Sequence, residues 1–297
     1  YKRQTLSIVG SIAPQIEIAE VEKIRQAPAS NLTSYELSLK AQAIFYDAAR
    51  SGNPDKRQES IDAAQVALDL DPRNTHALWV QGYSYAMQYL YRWGEDPEES
   101  LVRSEEVASR FLAVDSNNSK AYLLRALAST FRGEYDSALA DCRRAFEINP
   151  NFALTAMLRA WGESLAGLTV EAREHAQLAL RMSPRDLDLW LGDAYLALLQ
   201  ASFADGDFAE AQKWGLLAIQ MTPKAPIRRA IMAASYAHMG DFESAAQHLR
   251  ELEKFSPDFA DSIIEKRMSL YKLPEHNQLL MDGLRKAGVG QDQEHVP

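Results

Sequence analysis

The sequence predicts an all-α chain of stacked helical hairpins, an α-solenoid, and three observations predict it. Helix-stop signals are evenly spaced: Ser116 to Pro150, Pro150 to Pro184 and Pro223 to Pro257 are each 34 residues. Small residues recur at fixed distances upstream of every stop. Ala and Leu are abundant while glycine is sparse, so propensity favours helix. A fixed period of this length means one supersecondary unit per repeat, each burying its apolar face on the next. Pro72 precedes Ser116 by 44 residues and Pro184 precedes Pro223 by 39, which read as insertions of ten and five.

Residues 1–30 are predicted to be an N-terminal helix and linker from an upstream domain. Leu6, Ile8, Val9, Ile12, Ile16 and Ala19 make an i, i+4 apolar stripe with Glu17, Glu20 and Glu22 outside it. Pro14 restarts or kinks that helix, and Gln26-Ala27-Pro28-Ala29-Ser30-Asn31 breaks it. The opening Tyr1-Lys2-Arg3-Gln4 has no signal-peptide organisation and starts mid-pattern, so the chain is expected to be a piece of a longer protein.

Six hairpins are expected across 31–258, at about 34–72, 75–116, 119–150, 153–184, 187–223 and 226–257. Their second helices end on phrases such as Leu68-Asp69-Leu70-Asp71-Pro72 and Phe146-Glu147-Ile148-Asn149-Pro150, where proline cannot continue a helix. Twelve residues before each stop stand Ser60, Ser104, Ala138, Ala172, Ala211 and Ala245. Eight before stand Ala64, Ala108, Cys142, Ala176 and Gly215, with Leu249 the exception. On the first helices, Gly82, Ala126, Ala160, Ala194 and Ala233 take the matching place. Small side chains at this spacing let helices approach closely.

The turns inside the hairpins read Arg132-Gly133-Glu134-Tyr135, Asp205-Gly206-Asp207-Phe208 and Met239-Gly240-Asp241-Phe242. Glycine there relieves a left-handed helix end, and the aromatic two residues later is expected to tuck under the hairpin. The two lengthened units, 75–116 and 187–223, are expected to carry long first helices or added turns. Phe259–Lys272 and Pro274–Ala287 lack the small-residue pattern. They are read, within a C-terminal region 259–297, as helices that cap the last hairpin.

These residues resemble the tetratricopeptide repeat family over roughly 34–258. The family's first-helix signature survives only in pieces, as Leu78, Gly82 and Tyr85, or as Trp190 alone. The resemblance implies a right-handed superhelix whose concave face is lined by first helices and holds a protein partner. The lining positions then include Trp79, Tyr83, Leu123, Leu127, Met157, Trp161, Leu191 and Tyr195. Such a wall suits an apolar or helical protein segment, or a second copy of the chain. The chain's own residues 5–26 are the alternative occupant, since an open apolar strip is an aggregation liability.

A second resemblance rests on Ile8-Val9-Gly10-Ser11-Ile12-Ala13-Pro14-Gln15-Ile16-Glu17, on Asn31-Leu32-Thr33-Ser34-Tyr35-Glu36-Leu37 and on Gly283-Leu284-Arg285-Lys286-Ala287-Gly288-Val289. These phrases resemble the C-terminal part of bacterial signalling proteins with a class III adenylate or guanylate cyclase domain in front and a TolB-like domain between. A winged-helix transcription regulator is the alternative parent, and a homodimerisation scaffold the alternative role. The resemblance implies a regulatory, protein-binding region with its output domain upstream. No cyclase residue lies within this sequence.

The net charge of −9 and pI near 5.3 argue against nucleic-acid binding and against docking on an anionic membrane. No apolar run reaches the roughly 20 residues needed to span a bilayer. Cys142 is the only cysteine, so no internal disulfide is available, which fits a reducing cytoplasm. No phosphate-binding glycine loop or zinc-protease motif is present. No cofactor, metal or catalytic residue is assigned, and the chain is read as not an enzyme. His238 and His248 are read as core-edge or surface residues rather than a metal pair. Asp205-Gly206-Asp207 is read as a turn with Asp207 as N-cap, not a calcium loop.

Overall fold

The computed structural model describes Glu20 and residues 32–93, 96–182, 191–257, 259–265 and 270–290. Of the sequence readings, the apolar stripe at 5–26, the break at 26–31, Trp190 and the Ser183-Pro184 stop lie outside them, save Glu20. The described residues form an all-α fold of successive antiparallel helices. These are α1 Ser34–Ser51, α2 Pro54–Leu70, α3 Thr75–Tyr91, α4 Pro97–Val114, α5 Ser119–Phe131, α6 Tyr135–Ile148 and α7 Ala153–Ala166. There follow α8 Thr169–Met182, α9 Leu191–Ala204, α10 Phe208–Met221, α11 Pro226–His238, α12 Phe242–Glu253, α13 Phe259–Glu265 and α14 Pro274–Lys286. None is long and apolar enough to cross a membrane.

The chain divides into two compact units. Unit 1 holds residues 1–159 and 178–189, and unit 2 holds 160–177 and 190–297. In unit 1 each helix from α1 to α6 packs on the next, while α1 also meets α3 and α3 meets α5. Unit 2 repeats this order: α9 to α12 pack in series, α9 meets α11, and α14 lies on α11.

The three corners between hairpins in unit 1 that end on Asp71, Asp115 and Asn149 are built from one device. Asp71, Asp115 and Asn149 end α2, α4 and α6 with φ near −140°, outside the helical region. Their side-chain oxygens accept from the backbone N–H two residues on: Arg73 to Asp71 at 2.9 Å, Asn117 to Asp115 and Asn151 to Asn149 at 3.1 Å. That local bond turns the chain without help from proline. Ser116 therefore serves where the other stops carry Pro. Asn74 and Asn118 then cap α3 and α5, accepting from Ala77 and Lys120.

Inside the hairpins, Gly133, Gly206 and Gly240 adopt φ of 77°, 75° and 81°. The residue after each donates back across the helix end, as Glu134 N–H does to the Ser129 carbonyl at 2.8 Å. Gly167 makes the same turn before α8, a site without the aromatic residue that marks the others. The aromatic residues after these turns do not behave alike. Tyr135 is buried and Phe208 stacks on His238 at 4.6 Å, but Phe242 is 56% exposed. The expectation that each tucks under its hairpin fails at Phe242, which stands at the first position of α12 facing solvent.

In the lengthened second hairpin, α3 and α4 run 17 and 18 residues against 13 and 14 for α5 and α6. The insertion thus extends both helices as well as the connection. Arg92 ends α3 with φ 55°, where glycine is usual. Its side chain pairs with Glu98 at 2.9 Å.

The small positions are the seams. Ser60, Ser104, Ala138, Ala172, Ala211 and Ala245 are all buried. The two serines satisfy their hydroxyls on first-helix carbonyls, Ser60 on Ala41 at 2.9 Å and Ser104 on Gly82 at 3.0 Å. A Cβ on Gly82 would lie 2.3 Å from Leu124 Cδ2, so α3 approaches α5 through that glycine.

Candidate protein-binding surface

Five of the eight predicted lining residues belong to unit 1. Trp79 and Tyr83 lie one turn apart on α3 with ring centroids at 5.1 Å, and Tyr83 meets Phe45 of α1 edge-on at 5.3 Å. Leu123 and Leu127 sit one turn apart on α5, and Met157 lies on α7. All five are buried, with Trp79 the most exposed at 4%. In unit 2, Trp161 and Leu191 are buried to the same degree, and Tyr195 is half-buried. Seven of the eight positions are therefore interior side chains. Helical spacing puts them on one face of each first helix, but says nothing of how close the next helix comes.

What reaches solvent is the rim. In unit 1 the half-buried Lys120 places its ammonium 5.7 Å from the ring centroids of both Trp79 and Phe152. In unit 2 Tyr195 stacks on Trp214 of α10 at 6.1 Å and 17°, with the Lys213 ammonium 4.5 Å over the indole. Trp214 and Phe152 were not among the predicted residues, which were drawn only from first helices. The available signal was Trp214 itself, a large aromatic one step from the Gly215 seam.

Several polar groups are matched locally. Ser164 donates to Gln200 Oε1 at 2.9 Å, and Glu163 Oε2 lies 2.7 Å from His175 Nδ1. Arg125 makes a two-pronged pair with Asp141 at 2.7 Å, which raises its already high pKa. Arg228, 1% exposed, donates to Asp193 at 2.5 Å. Burial pushes the Asp193 carboxyl up, against the pull of Arg228.

His238 and His248 have separate settings. His238 Nε2 lies 2.9 Å from the Leu279 carbonyl of α14, and His248 stacks on Tyr236 at 5.4 Å. Among the described residues no group of three or more His, Cys, Asp or Glu could hold a metal ion. Burial, assisted by Arg229, pushes His248 down to about 4. An unfolded histidine titrates near ~6.5. The unfolded chain therefore takes up the proton first, and stability is lost as pH falls from about 6.5 to about 4, with no further loss below. Discounted for partial exposure, the effect is about 1–2 kcal/mol. His248→Phe should flatten this limb in urea titrations followed from pH 7 to pH 4.

Residues 119–152 match the family model described as tetratricopeptide repeat, which takes in α5, its turn and α6. Among curated proteins none matches the sequence. The fold is similar to a chain of the APC/C hetero-tetramer Cut9–Hcn1, at 13% identity and TM-score 0.59 over 95% of this chain and 48% of that one. It is similar to human IFIT1, crystallised as a dimer with PPP-AAAA, at 15% identity and TM-score 0.58 over 79% and 53%. It is also similar to a thermophilic TPR protein in Thermus thermophilus, at 17% identity and TM-score 0.51 over 68% and 98%. The chain thus spans about half the length of the first two. At these identities the likeness establishes a fold of tandem helical repeats.

Proposed function

We propose that this chain is a non-catalytic scaffold that binds an apolar, helical protein segment or a second copy of itself. The observation that carries this is the pair of aromatic and cationic clusters that reach the surface, half-buried Lys120 and Phe152 over the buried Trp79 in unit 1, and Tyr195 with Trp214 and Lys213 in unit 2. Trp and Tyr are among the residue types that dominate interface energetics. The repeat match over 119–152 supports the same reading.

The test is the double variant Tyr195→Ala/Trp214→Ala, assayed for self-association by light scattering and for partner capture. Association should weaken at least about tenfold, with helix content unchanged. Unchanged association with the fold intact ends the proposal for this surface. Trp161, being buried, is a poor probe of binding and a good one of stability.

The phrases at 8–17, 31–37 and 283–289 support a finer reading, that the module regulates an adenylate or guanylate cyclase of a bacterial, cytoplasmic signalling protein. The gene upstream of Tyr1 decides this. A cyclase domain there supports it, and a winged-helix domain replaces it with the transcription-regulator alternative.

A further inference from the structure

Among the described residues two arginines are wholly buried, and they are not equivalent. Arg228 in unit 2 has its carboxylate, Asp193, at 2.5 Å. Arg57 in unit 1, on the first turns of α2, is 0% exposed. Its Nε and Nη1 find no hydrogen-bond acceptor. Among the described residues no carboxylate pairs with it. Instead the guanidinium lies 4.2 Å from the centroid of Phe45 and 5.9 Å from that of Trp93, with Tyr83 and Tyr91 also close enough to act on its charge. Burial lowers its pKa only to about 10, so it is a cation at neutral pH.

Ring faces soften the cost of burying a cation but leave the Nε and Nη1 donors without acceptors. An uncompensated buried charge is among the costliest features a fold can hold. Unused guanidinium donors suit one chemistry closely, a carboxylate accepting charge-assisted hydrogen bonds. A monoanion is also far cheaper to bring among aromatic rings than a phosphate dianion. Tyr91 and Trp93 are only half-buried, with ring centroids 4.8 Å apart and tilted at 44°, so they form the outer, solvent-facing wall.

We propose that Arg57, set against Phe45 and Trp93 with Tyr83 packed on the first ring and Tyr91 on the second, is a binding socket for a carboxylate group. It lies on a second helix, linked to the unit 1 rim only through the contact of Tyr83 with Trp79, and does not depend on the scaffold reading.

The test compares thermal unfolding and tryptophan fluorescence in sodium acetate and in sodium chloride at equal ionic strength and pH 7. Acetate should raise the midpoint saturably by about 2–4 °C, half-complete on the order of 1–10 mM. Arg57→Met should fold, be at least as stable as the parent without acetate, and show no acetate response. Arg57→Lys keeps the charge without the guanidinium donors and should respond about tenfold more weakly. A capped tripeptide with a central glutamate, against its glutamine counterpart, separates the two sources of the group. Tighter binding than acetate assigns the socket to acidic protein side chains, and weaker binding to small free carboxylates. Acetate no better than chloride overturns the proposal, as does a response that persists in Arg57→Met. If Arg57→Met does not fold, an undiminished response in Arg57→Lys overturns it.

Discussion

Asp193→Ala is expected to destabilise unit 2 by about 3–5 kcal/mol. Against the roughly 5–15 kcal/mol that holds a domain folded, this is the largest single loss available here without touching a large apolar side chain. Arg228, 1% exposed, donates to Asp193 at 2.5 Å and leaves its Nε without an acceptor. Removing the carboxylate strands the guanidinium between α9 and α11. The reciprocal change should cost less. Arg228→Met leaves a carboxyl whose pKa burial already raises, so it can take up a proton instead of remaining an ion. Asp193→Leu with Arg228→Met should recover most of the loss, since an apolar pair of similar volume often matches a buried ion pair. Urea unfolding of the four proteins followed by circular dichroism measures the cycle. A coupling below about 0.5 kcal/mol would mean that the pair contributes little.

The second expectation separates two glycines that look alike in sequence. A Cβ at Gly283 of α14 would stand 2.6 Å from Ala234 Cβ, 2.9 Å from Ala234 Cα and 2.9 Å from His238 Cδ2. Two of these atoms belong to Ala234, including its backbone, and cannot swing away. Gly283→Val should therefore cost about 3 kcal/mol and lift α14 from α11. With it goes the contact between His238 and the Leu279 carbonyl. A Cβ at Gly215 meets Met232 Sδ at 2.1 Å, a worse clash on paper. Methionine has three rotatable bonds and gives way, and alanine is the better helix former, so Gly215→Ala should fall within about 1 kcal/mol of the parent. Hydrogen exchange should show α14 amides losing protection in Gly283→Val alone. Retained protection would mean that α14 tolerates a side chain there.

The repeat was legible because its cause is steric. A seam that admits only small groups writes Ser60, Ser104, Ala138, Ala172, Ala211 and Ala245 at one phase, whatever surrounds them. The corners were legible for a partly mistaken reason. Proline draws the eye, yet the turn is made by the residue before it, Asp71, Asp115 or Asn149, through its own side chain. That is why Ser116 keeps the spacing. The binding wall was less legible. Trp79, Leu123 and Trp161 share a helical phase, but their burial depends on interhelical distance, which one sequence does not record. Arg57 was invisible for the same reason: an arginine among Asp55, Lys56 and Gln58 reads as solvated until Phe45 and Trp93 close over it.

The lone sulfhydryl of Cys142 has a use that follows from where it sits. It fills a small-residue position of α6 and is 2% exposed, inside unit 1. A thiol reagent can reach it only when that hairpin opens, and no other atom of the chain competes for the label. Its rate of modification is therefore a clock for the breathing of one half of the molecule, running without any engineered probe, while the other half stays silent.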